Sequence, residues 1–143
     1  MQVKEIMTAQ METANADQMV IEAAKMMKDL NVGVIPIRED DKIAGIITDR
    51  DIVTRLLAEE KDPGSTPLRE IMSEELVFCS QDDSIEDAAK IMEDKKLRRL
   101  IVRDQQDNLV GIVSLGDLAA KSKQEQLAGE ALETISEPAA PIK

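Results

Sequence analysis

The stretch GIITDRDI, residues Gly45 to Ile52, recurs towards the other end of the chain as GIVSLGDL, residues Gly111 to Leu118. Each stretch has a glycine, two aliphatic residues, a hydroxyl residue, two variable residues and an aspartate. A short β-rich run leads into each stretch and a helical pattern follows, so a strand is predicted to pass directly into a helix. The hydroxyl and the carboxylate could cap that helix, or they could hold a ligand.

The similarity extends well beyond these stretches and makes the chain an internal repeat. VKEIMT (residues 3–8) aligns with LREIMS (68–73), and DQMVIEAAKMM (17–27) aligns with DDSIEDAAKIM (82–92). The second copy has one additional residue, which falls in a polar turn. The predicted organisation is repeat 1 at residues 1–61, a linker at 62–67, repeat 2 at 68–122, and a C-terminal helix and tail at 123–143.

Each repeat is predicted to contain a strand, a helix, two strands and a second helix. Asp17 and Ser84 are the predicted N-caps of the first helices, and Pro36 favours an edge strand or a local irregularity. A three-stranded sheet cannot bury both faces alone, so the two repeats are expected to pack sheet to sheet in a mixed α/β (α+β) fold. Apolar residues at helical spacing mark the first helix of each copy: Met19, Val20, Ala23, Ala24, Met27 and Leu30, then Ile85, Ala88, Ala89 and Met92.

Composition excludes several classes of function. A net charge of -11 and a single aromatic residue, Phe78, argue against a nucleic-acid partner, because such a chain repels phosphate backbones and lacks stacking surfaces. The chain has no histidine, and its one cysteine, Cys79, is expected to be a buried core residue, so neither catalysis nor a metal site is predicted. No segment resembles a signal peptide or a membrane span, so we expect a soluble, cytoplasmic protein without membrane association.

The two copies together resemble a tandem pair of cystathionine-β-synthase (CBS) domains, a Bateman module. The resemblance rests on VKEIMT with LREIMS, on the Ala-Ala helices and on the duplicated Gly-aliphatic-aliphatic-[Thr/Ser]-x-x-Asp stretch, and covers about residues 3–120. AGEALETIS (128–136) is similar to the tail of small stand-alone bacterial members. The resemblance implies a pseudo-two-fold mixed α/β fold with clefts between two sheets, and homodimers. It also implies an adenosine-containing ligand (AMP, ADP, ATP or S-adenosylmethionine) and no catalytic cofactor.

The resemblance also assigns roles to the repeated residues. Asp51 and Asp117 would accept hydrogen bonds from the ribose hydroxyls, because a carboxylate offers only acceptors to a vicinal diol. Thr48 and Ser114 lie at predicted helix starts, where a hydroxyl and free N–H groups suit phosphate. The cations expected to neutralise phosphate are Arg50 in the first copy, and Arg98 and Arg99 within KKLRRL in the second. The base is expected between aliphatic residues drawn from Ile35, Pro36, Ile46, Leu100 and Ile112.

A simpler interpretation of the same residues stays open. Thr48-x-x-Asp51 and Ser114-x-x-Asp117 fit a capping box, and KKLRRL fits a solvated helix end. Asp in place of the longer Glu or Gln favours a second role beside capping. Because Gly116 replaces Arg50 in the second copy, one strong and one weak site are expected.

Three classes of function follow from these residues. The leading hypothesis is a non-catalytic regulatory module that binds an adenosine compound in the clefts between the repeats. The alternative is a ligand-free dimer that docks onto a separate effector protein. An enzyme is the third choice, because the chain lacks histidine and a Gly-rich phosphate loop.

Overall fold

The computed structural model describes residues 1–9, 11–121, 131, 134 and 135. These residues fall into two compact units. The first-repeat unit is Met11–Leu76, and the second-repeat unit combines the N-terminal residues up to 9 with the described residues from Val77 onward. In chain order the regular elements are β1 (Thr8–Ala9), β2 (Ala14–Asn15), α1 (Val20–Leu30), β3 (Val34–Glu39), β4 (Lys42–Thr48), α2 (Asp49–Asp51), β5 (Phe78–Ser80), α3 (Ile85–Lys95), β6 (Arg99–Arg103), β7 (Leu109–Ser114) and α4 (Leu115–Lys121).

The two units share one topology. The first-repeat unit has a sheet of order β2-β3-β4, in which β3 runs parallel to β2 and antiparallel to β4. The second-repeat unit has a sheet of order β1-β7-β6-β5 with the same relations among β5, β6 and β7. Both hairpins shift register at the same place, after Ile37 and after Val102. The predicted mixed α/β fold with strand-helix-strand-strand-helix repeats is thereby confirmed.

The opening segments, residues 3–8 and 68–73, lie in an arrangement that the sequence analysis did not anticipate. Each begins with a short 3-10 turn and carries two fully buried side chains. Val3 and Ile6 belong to the core of the second-repeat unit, whereas Leu68 and Ile71 belong to the core of the first-repeat unit. Each unit therefore takes its core from one repeat and from the opening segment of the other.

The two opening segments also extend the sheets. Thr8 in β1 pairs antiparallel with Ile112 in β7. Ser73 exchanges two backbone hydrogen bonds with Ile46 in β4, at 2.8 and 2.9 Å. Since β4 and β7 are otherwise the outer strands of their hairpins, these pairings satisfy backbone groups at a sheet edge.

The first helices confirm one of the two predicted caps. Ser84 caps α3, its Oγ accepting from the N–H of Asp87 at 3.1 Å. Asp17 does not cap α1: the N-cap is Met19, whose N–H donates to the Glu22 carboxylate at 3.0 Å. The N–H of Val20 finds a carbonyl partner at Thr66, 2.9 Å away, so the helix needs no hydroxyl or Asp side chain at its start.

Pro36 lies in β3, which is the central strand of its sheet, so the edge-strand alternative is wrong. The other alternative, a local irregularity, is found one residue later, where the register shifts between Ile37 and Arg38. Pro36 stands opposite Ile46, and the N–H of Ile46 donates away from β3, to Ser73. The proline nitrogen is therefore at a position of the β3–β4 ladder that needs no donor. The short β2 pairs only with Ile37 and Arg38, so it requires no hydrogen-bond donor from Pro36 either.

The second helix of the first repeat is predicted over residues 49–61 but is helical only to Leu57, and Ile52–Leu57 is a π-helix. The second helix of the other repeat is described to Lys121. The predicted C-terminal helix lies outside the described residues apart from Ala131, which is buried in the core of the second-repeat unit, and the helical residues 134 and 135. Within the described part of the chain, no helix combines the length and the apolar character that a membrane span requires.

Candidate functional site

The first strand-to-helix turn joins β4 to α2. Thr48 is the N-cap, and its Oγ1 accepts a hydrogen bond from the N–H of Asp51 at 3.1 Å. In return, Oδ2 of Asp51 accepts from the N–H of Thr48 at 3.0 Å. Both halves of a capping box are formed, so the carboxylate is held in one orientation at the start of the helix.

The second turn, between β7 and α4, has the same contacts. The N–H of Asp117 donates to Oγ of Ser114 at 3.1 Å, and the N–H of Ser114 donates to Oδ2 of Asp117 at 2.8 Å. Asp therefore completes a capping box without the length of Glu or Gln, so its use in place of Glu or Gln does not favour a second role. A carboxylate accepts about four hydrogen bonds, so a cap and a ligand can share it.

The signature glycines are explained by the opening segments. A Cβ added at Gly45 would lie 2.6 Å from the carbonyl oxygen of Ser73, and one added at Gly111 would lie 2.5 Å from that of Thr8. Real Cβ atoms essentially never approach an oxygen so closely. These glycines therefore allow a neighbouring backbone to approach the strand that carries the turn.

Arg55 is a site residue that the sequence analysis missed. Its Nε lies 3.8 Å from Oδ1 of Asp51, and its Nη1 donates to the carbonyls of Ile71 and Met72 at 3.3 and 3.2 Å. The Asp51 side chain is only 13% exposed, so a cation beside it offsets part of the cost of burying its charge. The spacing of four residues between Asp51 and Arg55 on a predicted helix is the signal that could have found this pair.

The predicted base pocket is divided between two faces of the sheets, because successive strand residues alternate in direction. Ile35 and Leu100 lie in the hydrophobic cores. Pro36 stands opposite Ile46 in its ladder, on the face away from that core and on the same side as Thr48. Ile112 is buried outside the core clusters, on the same side of β7 as Ser114. The structure therefore brings Pro36, Ile46 and Ile112 to the faces of the turns and places Ile35 and Leu100 elsewhere.

The predicted cations are all exposed. Arg99 stands directly opposite Ser114 in the β6–β7 ladder, so the two side chains leave the sheet on the same face. Arg98 precedes β6, and its carbonyl accepts from the N–H of Leu115 at 2.9 Å. Arg50 lies in α2, between the capping residues of the first turn.

Cys79 is buried in the core of the second-repeat unit, as expected. Burial, with a smaller contribution from the charge of Asp83, raises the pKa of its thiol to about 12. A thiol in that state is a poor nucleophile. Among the described residues, no three His, Cys, Asp or Glu side chains are grouped so that they could hold a metal ion.

Comparison with known proteins gives a consistent result. The CBS domain family model matches residues 3–58 and 68–123. The CBS domain-containing protein YhcV of Bacillus subtilis is 47% identical over 134 residues, covering 94% of each chain. The crystal structure of the conserved CBS domain protein TA0289 of Thermoplasma acidophilum has a TM-score of 0.80 at 26% identity, covering 94% of this chain and 75% of that one.

A further solved structure carries ligands. The CBS domain pair of protein MJ0100, in complex with 5′-methylthioadenosine and S-adenosyl-L-methionine, has a TM-score of 0.75 at 28% identity, covering 87% of this chain and 98% of that one. The same family is indicated by the duplicated turns, by the order of elements in each unit and by these matches. The chain belongs to the CBS domain family and contains two CBS domains in tandem.

Proposed function

We propose that this protein is a non-catalytic regulatory module that binds an adenosine-containing ligand at the strand-to-helix turns of its CBS domains. The observation that carries the proposal is the duplicated turn, in which a hydroxyl and a carboxylate are held by reciprocal hydrogen bonds beside an apolar strand face. A tandem CBS pair is a regulatory module, and the pair of MJ0100 was solved with two adenosine compounds.

The residues divide the ligand between them. The carboxylates of Asp51 and Asp117 accept the ribose hydroxyls, while Thr48 and Ser114 contribute hydroxyl groups near the phosphate or its replacement. Aliphatic residues on the turn side of the sheets, Pro36 and Ile46 in one unit and Ile112 in the other, contact the base. Ile35 and Leu100 are committed to core packing and have no part in this proposal.

Regulation requires that the ligand bind one arrangement of the protein better than another, because equal affinity shifts no equilibrium. Arg55 connects Asp51 with the carbonyls of Ile71 and Met72, in the opening segment that pairs with β4. A ribose at Asp51 would compete for the same carboxylate, so occupancy would change this connection. The effector that reads the change would be a separate protein, and the expected cytoplasmic location stays a prediction.

Calorimetric titration with AMP, ATP and S-adenosylmethionine tests the proposal. Asp51→Asn and Asp117→Asn keep an oxygen that can accept the capping hydrogen bond but remove the charge, so we expect each variant to fold and to lose binding at its own site. Ser84→Ala is the matched control, since it removes the cap of another helix, α3, and leaves both turns unaltered. If the wild-type protein bound none of the three at millimolar concentration, the turns would be helix caps only.

A second role, as a dimer that docks onto a partner, is favoured by one observation. Val53 and Leu57 are four residues apart on the helical segment after Asp51, so they share a face, and they are 55% and 60% exposed. Contiguous exposed apolar surface marks protein contacts, whereas single exposed apolar residues need no explanation. We expect sedimentation to show a homodimer for the wild-type protein and a monomer for Val53→Glu with Leu57→Glu. An unchanged sedimentation coefficient in the double variant would rule out this face as the contact.

A further inference from the structure

The two turns can serve as references for each other, because their capping boxes have the same hydrogen bonds. The backbone bond that closes each turn is also the same: the N–H of Asp49 donates to Gly33 at 3.1 Å, and that of Leu115 to Arg98 at 2.9 Å. Because the backbone and the capping hydrogen bonds are the same at the two turns, differences in ligand choice must come from the surrounding side chains. Differences in charge occur at two places beside the turns, the start of the preceding strand and the two residues after the capping hydroxyl. The pairs are Gly33 with Arg98, Val34 with Arg99, Asp49 with Leu115, and Arg50 with Gly116.

The first-repeat turn carries a fixed negative charge beside its strand. Oδ2 of Asp49 lies 3.0 Å from the place where Gly33 would carry a Cβ, so the carboxylate occupies the space above that glycine. Oδ1 of Asp49 accepts from the N–H of Arg50 at 2.8 Å, which holds the group there. With Arg50 and Arg55 opposing Asp49 and Asp51, the formal charges around this turn cancel.

The second-repeat turn has two arginines beside it and no carboxylate at the position of Asp49. Arg98 occupies the glycine position, Arg99 projects on the face of Ser114, and Leu115 replaces the carboxylate. Within residues 1–9 and 11–121, neither guanidinium forms an ion pair with a carboxylate. Arg99 therefore lies on the face of Ser114, and Arg98, next to it in the chain, is joined to the turn through its backbone carbonyl. Both belong to a chain whose net charge is -11, where most of the surface repels anions.

We propose that the two turns select ligands by charge. The second-repeat turn takes adenosine compounds that carry phosphates, with affinity rising from adenosine to AMP to ATP. The first-repeat turn takes adenosine compounds without a phosphate chain, such as S-adenosylmethionine, because Asp49 offsets the charge of Arg50 there and leaves no net attraction for a polyphosphate. This inference rests on the proposed function and adds which class of adenosine compound each turn recognises.

The expected size of the effect follows from charge-assisted hydrogen bonds. A bond from a guanidinium to phosphate strengthens binding by roughly tenfold or more, and a bidentate contact adds geometric selectivity. Both arginines are exposed, so salt screens their attraction and the preference for ATP declines as ionic strength rises. Selection by hydroxyl or apolar contacts alone would show little dependence on salt.

Titrations with adenosine, AMP, ATP and S-adenosylmethionine on Asp51→Asn report the second-repeat turn, and those on Asp117→Asn report the first-repeat turn. For Asp51→Asn we expect ATP to bind at least about tenfold more tightly than adenosine, and for Asp117→Asn no gain from phosphates. Adding Arg98→Gln and Arg99→Gln to Asp51→Asn should lower the affinity for ATP to that for adenosine, so that the ATP preference is lost. Lys90→Gln, which removes an exposed cation on α3 of the same unit, is the control and should keep the preference.

The outcomes separate this inference from the proposed function. If adenosine compounds bind at both turns with the same order of affinities, the charge selection is wrong and the regulatory module stands. If the preference survives loss of both arginines, the selection belongs to other groups and the inference is likewise overturned. If no adenosine compound binds to the wild-type protein, both fail together.

Discussion

Gly45 and Gly111 stand where a neighbouring carbonyl leaves no space for a side chain. In Gly45→Ala the methyl group would meet the carbonyl oxygen of Ser73, a backbone atom that cannot rotate away. We expect a loss of about 1–3 kcal/mol in the free energy of unfolding, measured by urea denaturation. The same loss is expected for Gly111→Ala.

Gly116→Ala is the matched control for both glycine variants. Its Cβ would lie 3.5 Å from the nearest atom, an ordinary contact, and the residue lies inside α4. Alanine should therefore stabilise the protein by up to about 1 kcal/mol through helix propensity. If Gly45→Ala were as stable as Gly116→Ala, the close approach of the opening segment would not exist in solution.

Cys79 provides a pH-dependent test of burial. The pKa of its thiol is raised to about 12, chiefly by desolvation, while a thiol in the unfolded chain ionises near its ordinary value of about 9. The stability linked to this group is fully present below pH 9 and is lost as pH rises towards 12, because only the unfolded chain releases the proton. We expect the urea midpoint to fall more steeply between pH 8 and pH 10 in the wild type than in Cys79→Ala.

Lysine and tyrosine titrations do not complicate that comparison, since the chain has no tyrosine and the lysines are common to both proteins. Equal slopes in the two proteins would mean that the thiol is solvated. As an independent check, a thiol reagent at pH 8 should label Cys79 only after the protein is unfolded.

At the scale of elements, the turn between β6 and β7 depends on one carboxylate. Oδ1 of Asp104 accepts from the N–H groups of Gln106 and Asn108, both at 2.9 Å, and Oδ2 accepts from the Asn108 side chain at 3.2 Å. The bond from the Asn108 backbone is the main reason that the pKa of Asp104 lies below its ordinary value. The β6–β7 hairpin carries Arg99 and Ser114, so this turn also helps to position the two side chains that are proposed to bind phosphate.

The acid sensitivity of that hairpin is testable. Because the pKa of Asp104 is lowered in the folded protein, its contribution to stability is present above its ordinary pKa and is lost as pH falls from that value through the lowered pKa of the folded state. Asp104→Ala should lower stability at pH 7 and should lose less stability than the wild type between pH 5 and pH 3. Asp94→Ala, at an exposed position of α3, is the control and should follow the wild-type curve. If Asp104→Ala lost as much stability between pH 5 and pH 3 as the wild type does, the turn would not be the source of the acid sensitivity.

At the scale of the molecule, the exchange of opening segments determines which unit is destabilised by a mutation in the core. Ile6 is buried with α3 and the β5–β7 sheet, whereas Ile71 is buried with α1 and the β2–β4 sheet. Truncating either residue to alanine should cost about 2–5 kcal/mol. In hydrogen exchange, Ile6→Ala should reduce protection in β5, β6 and β7 first, and Ile71→Ala in β3 and β4 first.

The two variants are controls for each other, because the residues are aligned in the two repeats and equally buried. If Ile6→Ala reduced protection in β3 and β4 first, each repeat would fold with its own opening segment. Such a result would also remove the explanation given for Gly45 and Gly111.

Local patterns in the amino-acid sequence were sufficient for the repeat, the order of strands and helices, the cap at Ser84 and the candidate turns. These features depend on residues three or four apart or on alternation along a strand, and such short-range contacts are present in any compact arrangement of the chain. The start of α1 was misplaced by two residues, because the N–H of Val20 donates to the carbonyl of Thr66, which is distant in sequence.

Only the tertiary structure decided which side chains accompany each turn. The separation of Ile35 and Leu100 from Pro36, Ile46 and Ile112, the contact of Arg55 with Ile71 and Met72, and the exchange of opening segments all depend on long-range packing. The residue type does not show on which face of a strand an apolar side chain lies. Nor does it show whether a cation contacts a carbonyl or only water. Position in space, set by the packing of each unit's core, determines which of these residues can contact a ligand.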